Sequence, residues 1–335
     1  VSRLEVKEES MYDDAVYKHG REARPWWRRK RIILPLTAAI IVIALGVGIG
    51  LGVGLKKDDA EEPSPSSTPS STPTPTVDPN RQLWTPAKGT TWQIVLNKAL
   101  SDDTLNSLAT TWKDTEVFDI DLYTNPKSTI DKLHENGKKV VCYFSAGSYE
   151  PYRPDSSEFQ QSDLGLTLDG WPDEKWLNTS SPAIRSIMLK RLDTALGKGC
   201  DAVDPDNTDG FDNVNGLGLT EASAIDYMRF LAKAAHERKM AIGLKNSGAI
   251  IAEVLPDMQF SVNEQCVQYN ECETFRPFVD DNKPVFGIEY PKETNTEVTT
   301  AVVTKICGNK EVEGFSTLLK NMDLDEWVEV CPASS

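Results

Sequence analysis

The feature that most constrains this chain is an alternation that runs from Trp92 to Leu319. Eight short runs rich in β-branched and aromatic residues are separated by longer stretches, several with helical periodicity. The runs are Trp92–Leu96, Val117–Tyr123, Lys139–Ala146, Asp201–Asn207, Met240–Asn246, Gln259–Glu264, Pro284–Tyr290 and Glu313–Leu319. The clearest helical stretches are Pro182–Leu196 and Thr220–Arg238. Strands that alternate with helices pair in parallel, because each crossover helix covers a face of the sheet. Eight units over roughly 230 residues predict an α/β (β/α)8 TIM barrel, a fold of about 250 residues. A doubly wound open sheet is the alternative, but the body carries neither G-x-G-x-x-G nor G-x-x-x-x-G-K-[ST] to bind a nucleotide.

Ahead of this body, Ile32–Leu55 is an unbroken uncharged run of 24 residues, long enough as a helix to cross a hydrocarbon core. A signal peptide is the rival reading. Its apolar region is shorter, about 7–15 residues, and ends at a small-residue cleavage site that is not evident here. Arg28, Arg29, Lys30 and Arg31 abut one end and only Lys56 and Lys57 the other, so the positive-inside bias leaves the N-terminus cytosolic. Trp26 and Trp27 fit an interfacial anchor, and glycines at 46, 50 and 54 share a spacing that lets helices approach. The organisation expected is a cytosolic basic tail (1–31), a transmembrane signal anchor (32–55), a stalk (56–84) and a (β/α)8 body (85–335). That places the protein in the cell membrane, single-pass type II, with its body extracellular. The stalk is nearly all Ser, Thr and Pro between Glu61 and Pro79, a composition that stays extended and carries O-glycans in exported proteins. The chain opens on Val1 rather than Met, so its true start is expected upstream.

All six cysteines fall in the outer body, where oxidation favours disulfides, although six allow 15 pairings. Cys266 with Cys272 closes the cheapest loop, Cys307 with Cys331 ties down the C-terminus, and Cys142 with Cys200 remains. Buried free thiols are the alternative. Asn178-Thr179-Ser180 is the only N-x-S/T sequon and predicts a surface loop.

In a barrel of this kind the chemistry sits at the C-terminal strand ends. Those ends carry Asp119 and Asp121, Tyr143 and Ser145, then Asp204, Asp206 and Asn207, then Lys245 and Asn246, Glu264, and finally Glu289 with Tyr290. The three histidines, His19, His134 and His236, all fall elsewhere, which removes a His-rich zinc centre and a Ser–His–Asp triad. No metal or organic cofactor is called for. What remains is paired-carboxylate chemistry: one carboxyl to protonate a departing glycosidic oxygen, another to attack or to activate water. Asp206 and Glu264 end the fourth and sixth runs and can converge over the mouth. Asp204 competes with Asp206, since neighbours two apart in a strand face the same way.

Three ordered motifs carry a resemblance. Val141-Cys142-Tyr143-Phe144-Ser145-Ala146-Gly147-Ser148-Tyr149-Glu150, the run from Gly199 to Phe211 around Asp204-Pro205-Asp206-Asn207, and Asn263-Glu264-Gln265-Cys266 are similar to signatures of glycoside hydrolase family 114, the endo-α-1,4-polygalactosaminidases. The resemblance spans nearly the whole body. It implies the barrel, a substrate of α-1,4-linked galactosamine such as partly deacetylated galactosaminogalactan, and a catalytic pair at Asp206 and Glu264. By analogy with related glycosidases it implies Asp206 as nucleophile and Glu264 as acid/base in a retaining reaction, with inversion left open. The chain departs from the family's W-L-D run at Trp176-Leu177-Asn178.

Charge points the same way. The formal net charge is −15, and residues 1–57 alone carry +5, so the rest carries −20. Such a body repels nucleic acid and attracts a cationic polysaccharide. The long segment Ser148–Ser181 is expected to stand over the mouth with seven acids, among them Glu150, and the aromatic faces of Tyr149, Tyr152, Phe159, Trp171 and Trp176 for stacking on sugars. The rivals are a non-catalytic surface receptor for a cationic glycan and a hydrolase of another amino-sugar polymer such as chitosan. Both carboxylate positions are filled, which favours an enzyme over a degenerate receptor.

Overall fold

The computed structural model describes residues 75–291 and 298–331. The expected tail (1–31), membrane span (32–55) and most of the stalk lie outside the described residues. Among the described residues no helix is long and apolar enough to cross a membrane.

All eight runs are strands, each a little shorter than its sequence pattern: β1 (Trp92–Val95), β2 (Val117–Asp121), β3 (Lys139–Ser145), β7 (Ala202–Asp206), β8 (Ala241–Lys245), β9 (Phe260–Glu264), β10 (Val285–Glu289) and β11 (Ser316–Leu319). They join in that order as parallel neighbours in one curled sheet, and β12 (Glu329–Val330) adds antiparallel to β11. With helices outside, this is a (β/α)8 barrel-like fold. Side chains bridge the seam between β11 and β1: Trp92 Nε1 donates to Ser316 O (2.8 Å), Ser316 Oγ to Thr90 O (2.7 Å), and Lys320 Nζ to Gln93 Oε1 (3.0 Å).

Strand alternation sorts the core in two. Ile94, Val117, Val141, Ala202, Ala241, Val262 and Ile288 belong to a cluster inside the curl, whereas Phe118, Ile120, Cys142, Val203 and Ile242 pack outward against the helices. The two long helices begin and end where local chemistry dictates. Pro182 opens helix Pro182–Lys198 and Gly199, at φ 98°, closes it; Thr220 and Ser223 cap helix Glu221–Glu237 reciprocally. The three disulfides form as the spacing suggests: Cys142–Cys200, Cys266–Cys272 and Cys307–Cys331.

Two findings depart from the sequence reading. Residues 77–84, assigned to the stalk, lie against the body: Val77 packs on the outer core, and Leu83 and Trp84 on the inner one, with the Trp84 ring 6.4 Å from that of Phe260. The segment 148–181 is not an open loop. It folds into an antiparallel sheet in which β6 (Trp171–Leu177) lies between β4 (Ser148–Tyr149) and β5 (Leu164–Leu168). Asn178 of the sequon follows it, half-buried.

Candidate active site

Three strands deliver the central groups and turn away at once. Asp206 ends β7, Lys245 ends β8 and Glu264 ends β9. The residues that follow them, Asn207 (φ 60°), Asn246 (φ 48°) and Gln265 (φ 62°), are all left-handed, a conformation unfavourable for residues with a Cβ. Gly147 lets the β3 loop approach, since a Cβ there would stand 1.7 Å from Asn207 O.

Lys245, 2% exposed, is the hub. Its Nζ lies 3.5 Å from Asp206 Oδ1 and 3.3 Å from Glu264 Oε2. Those two oxygens are therefore less than about 7 Å apart, within the range for paired-carboxylate glycoside cleavage. Tyr143 OH donates to Asp206 Oδ2 (2.8 Å), Asn246 Nδ2 to Glu264 Oε2 (3.2 Å), and Tyr290 OH to Glu264 Oε1. Burial opposes ionisation of Glu264, but the Lys245 ammonium and the Tyr290 and Asn246 hydrogen bonds outweigh it and hold its carboxyl below the usual range. Burial and the adjoining carboxylates raise both tyrosines, so their hydroxyls stay protonated and donate.

A cavity of about 910 Å³ opens above this cluster. Of the residues singled out by sequence, Asp121, Tyr143, Glu150, Trp171 and Asn207 line it, with Lys245, Asn246, Tyr290 and the Asp206–Glu264 pair. Asp121 and Glu150 are largely committed within the protein. Arg153 reaches Asp121 Oδ2 and Glu150 Oε1, each at 2.7 Å, and Asp121 Oδ1 accepts from Tyr123 and Thr124 backbone N–H groups.

Four further expected residues do not reach the wall. Asp119 lies a layer deeper, 1% exposed. Ser145 is fully buried, 2.6 Å from Ser148 Oγ, and accepts from Asn207 Nδ2 at 2.9 Å, so it fastens β3 to the turn after β7. Tyr149 turns to an edge-on contact with Phe159. Glu289 faces outward, because Phe286 and Ile288 are the inward residues of β10. It accepts from Val267 N (2.7 Å) at the start of helix Cys266–Tyr269, and burial pushes it up to about 7.

The acid-rich segment is also less open than its composition implies. Asp155 is spent on Arg191, Glu158 on Lys190, and Asp163 accepts from Ser181 Oγ. Asp169 and Glu174 face the cavity, where Glu174 accepts from Ser148 Oγ (2.6 Å) and burial raises it. Trp171 and Tyr152 stand on the rim, 59% and 64% exposed, and Trp176 lines the wall beneath them.

Sequence reasoning missed Asp209, which lines the cavity and is raised by burial and by Asp206 to about 7. Its position three residues beyond Asp206, still in the strand-end loop, was the available signal. It also missed Met322, Asp323 and Leu324, which complete the wall from the loop after β11. Among the described residues no group of three or more His, Cys, Asp or Glu is placed to hold a metal.

Comparison with known proteins agrees with this geometry. In the crystal structure of Aspergillus fumigatus Ega3 in complex with galactosamine, the similar chain is 54% identical; 75% of this chain and 98% of that one are covered, with a TM-score of 0.70. The glycoside hydrolase domain of PelA from Pseudomonas aeruginosa, 12% identical over 72% of this chain and 99% of that one, shares the fold at a TM-score of 0.53. No curated protein matches. The model of glycoside-hydrolase family GH114 matches residues 73–335, and the chain belongs to that family.

Proposed function

We infer that the protein is an endo-α-1,4-polygalactosaminidase that cleaves partly deacetylated galactosaminogalactan, with Asp206 as nucleophile and Glu264 as acid/base. The observation that carries this reading is the pair of strand-end carboxylates held on one ammonium under an open cavity. The family membership and the galactosamine-bound relative support an amino-sugar polymer. The full (β/α)8 barrel explains why strand ends β7 and β9 converge.

In the first step Glu264, protonated, gives its proton to the departing O4 as the anomeric C–O bond breaks. Asp206 closes an ester on the anomeric carbon. In the second, Glu264 takes a proton from water, the water oxygen attacks that carbon, and Asp206 leaves as carboxylate. The net reaction adds one water across one glycosidic bond. The bound of about 7 Å on the two oxygens suits the short separation of retaining enzymes and overlaps only the lower end of the inverting range. Tyr143 and Lys245 orient Asp206 for attack, and the resting carboxylate of Glu264 is set for the second step. Protonation for the first step is easier on the acid side of neutrality, where the sugar amines are also cationic and Glu174 and Asp169 face them.

Residues 32–55 act as a membrane anchor in this reading and the Ser/Thr/Pro-rich run from 56 to 76 as its stalk, leaving the catalytic body extracellular. The support is the 24-residue uncharged run with its asymmetric basic flanks.

The test uses the soluble body on galactosaminogalactan and chitosan, each at several degrees of acetylation. Internal cleavage of the first with retention of anomeric configuration, followed by NMR, is expected. Asp206→Asn should lower turnover about 10⁴-fold and Glu264→Gln about 10²–10⁴-fold with the thermal midpoint nearly unchanged. Wild-type turnover in either variant would overturn the assignment, and preference for chitosan would overturn the substrate.

A further inference from the structure

The inserted antiparallel sheet and the turn behind Asp206 meet at one hydroxyl. Ser148 opens β4, directly after the close approach at Gly147, and is 0% exposed. Its Oγ lies 2.6 Å from Ser145 Oγ, 2.6 Å from Glu174 Oε2 on β6 and 3.2 Å from Asn207 Nδ2. Asn207 follows Asp206 and also donates to Ser145 Oγ at 2.9 Å. Backbone bonds fix the same junction. Asp206 O accepts from Ala146 N (2.9 Å) and Gly147 N (3.0 Å), and Leu177 N donates to Gly147 O (2.9 Å).

Counting hydrogens gives this chain a direction. The Asn207 amide and the Ser148 backbone N–H, 3.0 Å from Ser145 Oγ, are both donors. Ser145 Oγ accepts from the two of them, so its one hydrogen goes to Ser148 Oγ. Ser148 Oγ accepts from Ser145 and Asn207, so its own hydrogen goes to Glu174 Oε2. Reversal would turn the Ser145 hydrogen toward two donors. Glu174 Oε2 is thereby held as an acceptor.

Glu174 stands apart from four other acids of the cavity wall. Asp121 and Glu150 share Arg153, and Asp206 and Glu264 share Lys245. Among the described residues Glu174 pairs with no cation. Besides Ser148 it has only the Tyr152 hydroxyl, 3.4 Å from Oε1, whose hydrogen has a nearer acceptor in Glu150 Oε1 at 3.0 Å. Glu174 is 8% exposed and lines the cavity, so its missing counter-charge is one that a ligand there can bring. Trp176, two residues along β6, offers an aromatic surface on the same wall.

We propose that Ser148 is a positioning residue that joins a specificity-determining carboxylate to the turn of the nucleophile. Its hydroxyl aims Glu174 at the ammonium on C2 of the sugar whose anomeric carbon Asp206 attacks. With Ser145 and Asn207 it also holds Asp206 against that carbon. C2 is bonded to the anomeric carbon, so a carboxylate fastened to the turn of Asp206 reads the amine of that same unit. An acetylated amine, larger and uncharged, leaves Glu174 without its counter-charge. This rests on the catalytic reading above, and the experiment keeps the two apart.

The full chain is given a partly acetylated galactosamine polymer, and the new reducing ends are identified by mass spectrometry. Each such end is the unit that Asp206 attacked. The ratio of galactosamine to N-acetylgalactosamine there does not depend on the amount of folded enzyme, so a merely structural defect leaves it unmoved. The wild type should release galactosamine ends. Glu174→Gln, whose amide oxygen still accepts from Ser148, should lower the ratio about 10–100-fold and leave cleavage at acetylated units unchanged. Ser148→Ala should lower the ratio about tenfold and also lower kcat about tenfold at both kinds of unit, with KM little changed. The double variant should have the ratio of Glu174→Gln alone, because Ser148 acts on selection only through Glu174. An unselective wild type, an unchanged ratio in Glu174→Gln, or a wild-type ratio and kcat in Ser148→Ala would each overturn the proposal. Effects on the ratio that add in the double variant would mean two independent contacts and overturn the coupling. A wild type that cleaves no such polymer would remove the catalytic reading by itself. Calorimetry of galactosamine binding then decides, and equal affinity in the wild type, Glu174→Gln and Ser148→Ala would overturn this proposal too.

Discussion

Above and below Lys245 the same chemical group meets two different fates. Glu264 receives Lys245, Tyr290 and Asn246, and its carboxyl is held down; Asp204, two residues before Asp206 on one strand, receives no hydrogen bond and is pushed up to about 7. Asp204 is fully enclosed and the Glu264 side chain 24% exposed, yet burial opposes ionisation of both, so burial alone does not set their opposite directions. Donors do. A buried carboxylate with two or three hydrogen bonds and an ammonium stays ionised, and one without them holds a proton. The column through Lys245 therefore sorts four acids by neighbours, and its upper half is the part that opens to the cavity.

The largest expected effect comes from removing what the two halves share. Lys245→Met should raise Glu264, strip Asp206 of its cation, and lower turnover about 10³-fold. It should also destabilise the body by about 3–5 kcal/mol, as the loss of one partner from a buried ion cluster does. Calorimetry and turnover measured together check this. A stable Lys245→Met protein with normal kinetics would dissolve the distinction between the halves.

Next is the lower half alone, read through stability. Asp204 has a folded value of about 7 against about 3.9 unfolded, so the folded state binds the extra proton. Stability should fall as pH rises from about 4 to about 7, with the full cost present above that. Asp204→Asn removes the dependence. The variant should match the wild type near pH 4 and exceed it by about 4 kcal/mol at pH 8 in urea unfolding. Equal differences at both pH values would show that Asp204 does not carry the proton.

The upper half is probed by Tyr290→Phe. Losing a donor to the ionised form of Glu264 raises that group, so the corresponding limb of kcat/KM should move to higher pH, with turnover down about tenfold. A move to lower pH would contradict the direction of the hydrogen bond.

How much of this column was legible beforehand follows from the kind of signal each part leaves. Strand alternation places Asp206, Lys245 and Glu264 at strand ends, because period and length are written in the residues themselves. The pairing of cysteines was legible from loop closure. Alternation also fixes that Asp204 faces inward with Asp206, but not how far below the mouth the packed layers begin, so Asp119 reads as a wall residue until Val141 and Tyr143 are seen to stagger against it. Glu289 shows a second limit. It is the last residue of β10, and only the inward placement of Ile288 reveals that it turns to cap a helix. Acid counts mislead for another reason: Arg153 and Arg191 are distant in sequence from most of the charges they neutralise, so composition over 148–181 overstates the field at the cavity.

The smallest effect tests whether the column is really separate from the rim. Trp171 stands on β6, 59% exposed, with no contact to Lys245 among those that hold the column together. A sugar or its ammonium stacked on that indole gains about 1 kcal/mol, so Trp171→Ala should raise KM roughly fivefold and leave kcat close to wild type. The pH limbs should not move, because no donor or charge near Glu264 changes. Steady-state profiles across the acid range decide it. If the limbs shift with the indole gone, the ionisation of Glu264 answers to the antiparallel sheet as well as to Lys245, and the contrast between upper and lower acids would have to be rebuilt with that sheet as a third participant.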